Sequence, residues 1–400
     1  MAKRLSQGLG VDIGTQSIKI AAVRQGAGGP AVVGLGMCPT PDGTVDHTGI
    51  FDPQTLGAAL RALLGESGIS IKQAVFCING QSSVVVRILE VPRMSDAELS
   101  EHMQWEIQRN IPFAESTIVS DYRPIDNPNL ANSQNMEVVM AVSPQSAIDS
   151  IVALLKAAGC KPAAIDVEPL GLSRVLKSCH YNDIATKDAC VVHIGHSSTA
   201  INMYRQGVLA FPRTVPLGGS SLTKAIADAF TITFAEAEEK KRTQAAAPES
   251  GGAAFGVPGV TMQPSFQPYN PFSGENEGGS GQPEAEGEAA PAPDAGGGDL
   301  QKIQGAMVAH LDEFAAELRR SVDYYKSRGG EVETIALSGG GANLRGLDKF
   351  IEKSLSIPVT KINPFQGIEV SVSGSGETYV QSAASEFAVA VGMGLHIAYD

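Results

Sequence analysis

The chain has 400 residues, enough for two or three domains, and its 43% hydrophobic and 18% charged residues are typical of a soluble globular protein. Its formal net charge of −13 argues against a nucleic-acid partner, because such surfaces depend on clustered Lys and Arg. The five cysteines form no CxxC pair, and their odd number argues against a disulfide framework. The apolar stretch 387–399 is too short to span a bilayer, so we expect a cytoplasmic chain without its own membrane anchor.

The first 92 residues have the pattern of short strands joined by glycine turns. One short helix is predicted at 56–64, where Gly65 ends the apolar periodicity. The apolar runs predict strands at 9–13, 18–24, 31–37, 73–78 and 84–91.

The pattern changes between residues 93 and 162. A capping box, Ser95 to Glu98, predicts the start of a helix that Pro112 ends. Two strands and a second helix are predicted to follow, at 118–124, 137–142 and 144–159. We therefore predict a compact insert over 93–162, which interrupts a first lobe made of 1–92 and 163–188.

A second lobe is predicted over 189–243 and 300–400. Its strands are expected at 189–194, 199–204, 208–212 and 334–337, and its helices at 220–230, 300–325, 347–355 and 382–396. The intervening segment 244–299 is rich in Gly and Pro and carries eight acidic residues with no Lys or Arg. That composition predicts a disordered acidic loop.

Two segments of the chain repeat one another in the same register. Residues 12–26 are DIGTQSIKIAAVRQG and residues 193–207 are HIGHSSTAINMYRQG. Each copy predicts a strand, a tight turn of Gly, Ser and Thr, and a second strand. The N–H groups and hydroxyls of such turns suit phosphate oxygens. A single copy would favour an ordinary hairpin, but two copies in matching register favour a phosphate clamp between two lobes.

Three motifs resemble those of a known superfamily. The segments GVDIGTQSIKI, VVHIGHSSTAI and IALSGGGANLRGL, in this order, resemble the phosphate-1, phosphate-2 and adenosine motifs of actin-like ATPases. The helix LRRSVDYY and the insert narrow the resemblance to the PilM family of type IV pilus assembly proteins, which are relatives of FtsA. The resemblance covers nearly the whole chain outside 244–299. It implies an α/β, two-lobed actin-like ATPase fold with an inserted FtsA-type (SHS2-like) subdomain.

The resemblance implies a site for ATP and Mg²⁺. Asp12 is expected to hold Mg²⁺ through water, because this ion keeps much of its hydration shell. Lys19 is expected to face the β- and γ-phosphates, although a solvent-facing strand lysine is the alternative. The remaining phosphate contacts are expected from Gly14, Thr15, Gln16 and Ser17 in the first turn, and from Gly195, His196, Ser197, Ser198 and Thr199 in the second.

Ribose and adenine are expected to lie against glycine-rich backbone. Glu238 and Lys241 are expected to contact the nucleoside, although a surface ion pair explains them nearly as well. Glu168 occupies the region where the superfamily places a water-polarising residue, and a carboxylate favouring a helix N-terminus is the alternative. The close-approach positions are Gly218, Gly219, Gly339, Gly340 and Gly341, with Asn343 beside them.

The second phosphate turn departs from the superfamily pattern at His193. Actin-like proteins usually carry Asp at this position, where it helps to hold the metal and the attacking water. A neutral imidazole is a poor ligand for Mg²⁺. We therefore expect nucleotide binding with weak or absent hydrolysis.

The resemblance implies a scaffold function in pilus assembly. The insert is expected to bind the short cytoplasmic N-terminus of the inner-membrane protein PilN and to link it to the pilus platform and motor. Membrane association would then be indirect. An FtsA-like filament-forming ATPase and a kinase of the same superfamily are the alternatives. Met103, Trp105 and Ile107 are either groove or core residues of the insert.

Overall fold

The computed structural model describes residues 5–80, 82–109, 117–125, 133–249 and 298–399. The first half of this chain is rich in strands. Its elements are β1 (Gln7–Ile13), β2 (Ser17–Gly26), β3 (Gly29–Pro39), α1 (Pro53–Glu66), β4 (Gln73–Ile78), β5 (Val85–Pro92), α2 (Asp96–Arg109), β6 (Ile118–Ile125), β7 (Asn135–Pro144), α3 (Gln145–Ala157) and β8 (Lys161–Val167).

The second half contains one long helix and several short ones. Its elements are α4 (Glu168–Cys179), β9 (Asp188–Ile194), β10 (Thr199–Arg205), β11 (Val208–Val215), α5 (Gly219–Phe230), α6 (Phe234–Gln244), α7 (Gly298–Ser327), β12 (Thr334–Ser338), α8 (Leu347–Leu355), β13 (Val359–Lys361), β14 (Glu369–Val370), α9 (Ser375–Ser382), α10 (Ala388–Gly394) and α11 (His396–Tyr399). Within the described ranges, no helix combines the length and the apolarity that crossing a bilayer requires.

Two larger sheets share one plan. The six-stranded sheet has the order β14-β3-β2-β1-β4-β8, and the five-stranded sheet has the order β11-β10-β9-β12-β13. In each sheet an antiparallel meander, β1–β3 or β9–β11, is followed by strands that run parallel to its first member. The insert contributes a third, three-stranded sheet with the order β5-β7-β6.

The sequence repeat forms two equivalent hairpins. Asp12 lies opposite Lys19 between β1 and β2, and His193 lies opposite Ala200 at the matching place between β9 and β10. Each turn is closed by the same hydrogen bond, from the N–H of its glycine to a serine carbonyl oxygen. This N···O distance is 3.0 Å in the first turn and 2.9 Å in the second. The repeat therefore predicted the structure of both turns correctly.

Small residues bring the C-terminal segment onto the first large sheet. Every residue of α10 is buried, and a Cβ added at Gly10 would lie 1.9 Å from the Ala390 carbonyl oxygen. The prediction of a tightly packed helix is confirmed, but its continuity over 382–396 is wrong. The chain breaks at Ala383, and the carbonyl of Ser385 turns to accept a hydrogen bond from the N–H of Gly339. That contact joins the two lobes.

The structure draws the lobe boundaries differently from the sequence. Strand β5, assigned to the first lobe, pairs with β7 in the insert sheet. Helix α3, assigned to the insert, packs with Ile151 and Leu154 in the core of the first lobe. Strand β14 pairs with β3 and α10 packs on β1, although both elements fall in the segment assigned to the second lobe. The lobe to which each of these elements belongs is determined by contacts with residues distant in sequence, and local sequence patterns do not predict such contacts.

Two further predictions have mixed outcomes. The capping box predicted at Ser95–Glu98 is present, and Thr233 and Glu236 form a second capping box at the start of α6. In the predicted loop 244–299, Ala245 and Ala247 are buried against the second lobe, and Ala246 bridges to Arg345, so ordered chain extends further than expected. The remainder of that loop, 250–297, lies outside the described residues, as does Pro112.

Three apolar positions of the insert helix α2 separate into two kinds. Met103 and Ile107 belong to the insert's own core, which also includes Val138 and Met140 of β7. Trp105 is 71% exposed on the opposite side of α2. The core interpretation therefore holds for the first two residues, while Trp105 remains a candidate for contact with a partner.

Candidate functional site

A cavity of about 1330 Å³ lies between the two larger sheets. It is lined by both hairpin turns and by the glycine run that follows β12. The predicted site residues that line it are Asp12, Gly14, Thr15, Gln16, Ser17, Lys19, Glu168, Gly195, His196, Ser197, Ser198, Gly219, Glu238, Lys241, Gly339, Gly340, Gly341 and Asn343. The structure thus brings together residues from four distant parts of the chain.

The first turn presents one acidic and one basic side chain to the cleft. Asp12 is the penultimate residue of β1 and Lys19 is the third residue of β2, and their cross-strand pairing places Lys19 Nζ 3.8 Å from Asp12 Oδ2. Asp12 is 4% exposed, and burial raises the pKa of its carboxyl while Lys19 opposes that rise. The turn itself is held by Thr40, whose Oγ1 donates to the Gly14 carbonyl oxygen at 2.7 Å.

The second turn is braced by the start of α5. The N–H of Gly219 donates to the Gly195 carbonyl, and the N–H of Ser220 donates to the His196 carbonyl. Gly218 makes this close approach possible, since a Cβ there would lie 2.4 Å from the His196 carbonyl oxygen. Gly218 therefore stands behind the turn and does not line the cavity.

Thr199 is also placed differently from the expectation that it faces the phosphates. Its side chain is fully buried, and its Oγ1 donates to the Leu217 carbonyl oxygen at 2.6 Å. As the first residue of β10, it points away from the cleft and fixes the segment that leads into α5. Its hydroxyl stabilises the turn from behind.

The hydrogen bonds of Ser338 determine the tautomer of His193. The Ser338 hydroxyl lies 3.1 Å from His193 Nδ1 and 3.2 Å from the Ser385 carbonyl oxygen. In the arrangement that satisfies both contacts, the hydroxyl proton goes to the Ser385 carbonyl oxygen, which only accepts, and His193 Nδ1 carries the proton donated to Ser338. His193 Nε2 is left with a lone pair. Burial, assisted by the charge of Lys19, lowers the His193 pKa to about 3, so the ring is neutral at pH 7.

Glu168 and Asn202 meet at the floor of the cleft. Burial raises the Glu168 pKa to about 8, the negative charge of Asp12 adds to that rise, and Asn202 opposes it. Glu168 opens α4, and Asn202 lies in the middle of β10 at 1% exposure. Burial, with a smaller contribution from the neighbouring Asp12 carboxylate, explains why Glu168 favours its protonated form.

Glycines allow the backbone after β12 to pass close to the second hairpin. Gly339 has φ +82°, and a Cβ there would lie 2.5 Å from the Ile194 carbonyl oxygen, so a side chain is excluded on both grounds. Asn343 follows in the same loop, and its Nδ2 donates to Glu386 Oε1 at 3.1 Å. The result is a flat backbone wall along one side of the cavity.

Glu238 and Lys241 form an ion pair within the cleft wall. Lys241 Nζ lies 2.7 Å from Glu238 Oε2 and 2.9 Å from the Gly219 carbonyl oxygen. Burial lowers the Lys241 pKa, and the hydrogen bond to Glu238 opposes that shift. Both interpretations from the sequence therefore apply, because the two residues pair with each other and also line the cavity.

The sequence patterns missed two groups at this site. Asn202 is the only amide side chain in the strand segment TAINMYR, where it lies between the apolar residues Ile201 and Met203. An amide within a buried strand was the sequence signal that could have identified it. Ser338 is the fully buried last residue of β12 and supports His193 through a contact that no local pattern indicates.

Comparison with known proteins identifies the family. The model of the family described as type IV pilus assembly protein PilM matches residues 10–251. The chain belongs to the PilM family. The model of the cell division protein FtsA matches residues 190–392, which include most of the second large sheet and helices α5 to α9.

Solved structures share the fold of this chain. A chain of a PilM-PilN type IV pilus biogenesis complex is similar, with a TM-score of 0.76 and 25% identity, covering 99% of this chain and 99% of that chain. The ethanolamine utilization protein EutJ from Carboxydothermus hydrogenoformans has a TM-score of 0.52 and 16% identity, covering 98% of this chain and 91% of that chain. This PilM-family chain therefore has the actin-like two-lobed fold expected from its motifs.

Proposed function

We propose that this protein is an ATP-binding scaffold of type IV pilus assembly, which binds the cytoplasmic N-terminal peptide of a PilN-type inner-membrane protein. The observation that carries the nucleotide part is the pair of equivalent turns facing one cavity, with Lys19 on one wall and a glycine wall beside it. A nucleoside triphosphate fits this arrangement. Its phosphates would lie between the turns, and its adenosine would lie against the backbone of Gly339–Gly341.

The acidic residue of the first turn fits a hydrated Mg²⁺. Asp12 is a buried carboxyl whose charged form is disfavoured by desolvation, so a cation would stabilise that charged form. Mg²⁺ is commonly held by one carboxylate, several waters and phosphate oxygens. When bound, the ion would neutralise charge on the phosphate chain.

The second turn favours binding over hydrolysis. His193 stands where actin-like proteins usually place Asp, and its Nδ1 proton is committed to Ser338. A neutral ring offers one lone pair, at Nε2, and no negative charge for the metal. The second turn can therefore contact phosphate, but it lacks the carboxylate that would help to hold the metal and the attacking water. This difference supports nucleotide binding with weak or absent hydrolysis.

Similarity to the PilM-PilN complex over 99% of both chains supports the peptide partner. The insert offers a surface for it, because β6 is an outer strand of the three-stranded sheet, and among the described residues no further strand pairs with its outer side. Extended peptides commonly bind such edges through backbone hydrogen bonds, with side chains in adjacent pockets. Held in this way, the protein would lie at the inner membrane through its partner and connect PilN to the assembly motor.

Replacement of Lys19 tests the nucleotide site. We expect Lys19→Met to weaken binding of Mg-ATP by about 30-fold or more, since a partly buried charge facing phosphate contributes on the order of 2 kcal/mol. Lys353→Met on the exposed surface of α8 is the matched control and should bind as the wild type does. Titration calorimetry on all three proteins provides the measurement.

Two results would contradict the proposal. Wild-type protein that binds neither Mg-ATP nor Mg-ADP at millimolar concentration would remove the nucleotide function. Equal affinity of Lys19→Met and wild type would instead place Lys19 outside the phosphate site and support the solvent-facing interpretation of this residue.

A further inference from the structure

The chain passes between the two lobes at two neighbouring segments. It leaves the first lobe after α4 through residues 180–187, the first crossing, and enters β9 of the second lobe. It returns after β13 through residues 362–368, the second crossing, and joins the first large sheet as β14. Helix α4 begins at Glu168 in the cleft and runs for 12 residues, so the first crossing starts about 18 Å from the cleft floor.

Side chains at the end of α4 and in the first crossing hold the second crossing in place. His180 is 3% exposed, and its Nδ1 lies 3.2 Å from Asp183 Oδ2. On the other side of the ring, Nε2 accepts a hydrogen bond from the N–H of Asn363 at 3.3 Å. Beside it, the Cys179 thiol donates to the Pro364 carbonyl oxygen at 3.1 Å. The two crossings therefore meet at His180, which contacts both.

The contacts of His180 fix which nitrogen carries its proton. A backbone N–H can only donate, so the lone pair of Nε2 faces Asn363 and the proton of the neutral ring is on Nδ1. Burial disfavours the charged form of Asp183, but hydrogen bonds from the Ile184 N–H and from His180 outweigh it and lower the pKa of this carboxyl. Asp183 is therefore a carboxylate that accepts the Nδ1 proton.

Addition of one proton to this ring changes its contact with Asn363. An imidazolium has an N–H on both nitrogens and no acceptor, so its Nε2–H would point at the Asn363 N–H, donor against donor. The opposite contact is strengthened, because a positive ring attracts the Asp183 carboxylate. A protonated His180 would thus remain with the first crossing and release the second.

The surroundings of the ring leave His180 as the group that responds to pH here. The ionisable residues of the elements around it are Tyr181, Asp183 and Lys187 in the first crossing, and Lys177 and Cys179 at the end of α4. Within the part of the chain that the structure describes, Asp183 is the one that pairs with the ring, and the second crossing, INPFQGI, contains no ionisable side chain. Burial raises the pKa of Cys179 to about 12, so this thiol keeps its proton over the interval from pH 5 to 8 in which histidines ordinarily change charge.

We propose that His180 is a proton-sensitive latch between the two crossings. The neutral ring ties the second crossing to the first, and protonation releases it, so that the lobes change their angle more freely. Because the lobes are joined at the crossings and part at the cleft, a small rotation here moves the cleft walls by a larger distance. The latch would operate whether or not the cleft binds nucleotide.

Hydrogen exchange of the Asn363 amide at pH 8.0 and pH 5.5 tests the latch in the full chain, after correction for the intrinsic effect of pH on exchange. In the wild type we expect exchange about tenfold faster at pH 5.5, the usual effect of losing one hydrogen bond. His180→Gln keeps an oxygen acceptor that does not titrate and should show no such increase. His180→Leu lacks the acceptor and should exchange fast at both pH values. His310→Gln, on α7 and outside both crossings, is the matched control and should behave as the wild type does.

Small-angle X-ray scattering at the same two pH values tests the effect on the lobes. We expect a larger radius of gyration at pH 5.5 in the wild type and an unchanged one in His180→Gln. Release of the Asn363 amide without any change in scattering would overturn the part of the latch in lobe movement.

Three further results would overturn the latch itself. They are Asn363 exchange that is equal at both pH values in the wild type, that rises as much in His180→Gln, or that is as slow in His180→Leu as in the wild type at pH 8.0. If His180→Leu does not fold, NMR of the wild-type imidazole nitrogens decides. A neutral His180 ring with its proton on Nε2 at pH 8.0 would contradict the contact with Asn363 and remove the latch.

Discussion

At the scale of single residues, the cleft combines two buried groups that are neutral at pH 7 with the positive charge of Lys19. The pKa of Glu168 is raised to about 8 and that of His193 is lowered to about 3, in both cases mainly by burial. At pH 7 both side chains are therefore largely uncharged, and Lys19 provides the positive charge that faces them. This arrangement favours a polyanion such as a phosphate chain, which would otherwise meet the negative charge of Glu168.

The raised pKa of Glu168 predicts a specific dependence of stability on pH. The carboxyl has an ordinary value of 4.5 in the unfolded chain and about 8 in the folded protein. Between these values the folded state binds more protons, so this residue makes stability fall as pH rises from 4.5 to 8. We expect Glu168→Gln to remove that part of the slope, so that the variant gains thermal stability relative to wild type as pH increases.

Thermal unfolding between pH 5 and pH 9 measures this effect. Glu101→Gln, on the exposed surface of α2, is the control and should follow the wild-type pH profile. A difference between Glu168→Gln and wild type that stays constant across this range would mean that Glu168 is ionised throughout, contrary to the burial described above.

At the scale of elements, the insert contacts both lobes. Strand β5 lies beside β11, and Val139 of β7 packs in the cluster that also contains Tyr204 and Leu209 of the second lobe. Glu137 Oε2 lies 3.6 Å from Arg205 Nη1, and both side chains are only 17% exposed. A change in the angle between the lobes would therefore alter the position of the insert.

The Glu137–Arg205 ion pair is expected to couple the cleft to the insert. We predict that Glu137→Gln changes peptide affinity in the absence of nucleotide by less than twofold. The ratio of the peptide dissociation constants measured with and without Mg-ATP should be about threefold smaller than in the wild type. The reason is that a partly buried ion pair contributes roughly 0.5–1 kcal/mol. Fluorescence anisotropy with a labelled PilN N-terminal peptide measures both quantities.

Glu101→Gln serves again as the exposed control, since it changes charge on the insert without touching the second lobe. An unchanged nucleotide effect in Glu137→Gln would assign the coupling to other contacts, such as those between β5 and β11.

The elements also separate what sequence predicts from what it does not. The two hairpin turns were predicted because glycine position, hydroxyl content and strand alternation are local, and the repeat specified them twice. The memberships of β5, α3 and β14 were not predicted, because β5 pairs with β7 across about 50 residues and β14 pairs with β3 across more than 300. Edge strands of two residues, such as β14, leave no periodic signal.

At the scale of the whole molecule, two similar lobes meet along helices α4 and α10. Both helices are largely buried between the sheets, and the cavity lies at the open end of this junction. A ligand that contacts both turns would stabilise one arrangement of the lobes over others. Most cleft residues were predictable from the three motifs, whereas Asn202 and Ser338 were not, because their roles depend on neighbours brought close only by folding.

The most direct test of the account is titration of the protein with a synthetic PilN N-terminal peptide, with and without Mg-ATP. We predict saturable binding in both conditions, with a dissociation constant that differs between them by about fivefold or more, a typical coupling of about 1 kcal/mol between two sites. Absence of peptide binding in both conditions would contradict the scaffold function. Identical constants would contradict the coupling of cleft and insert.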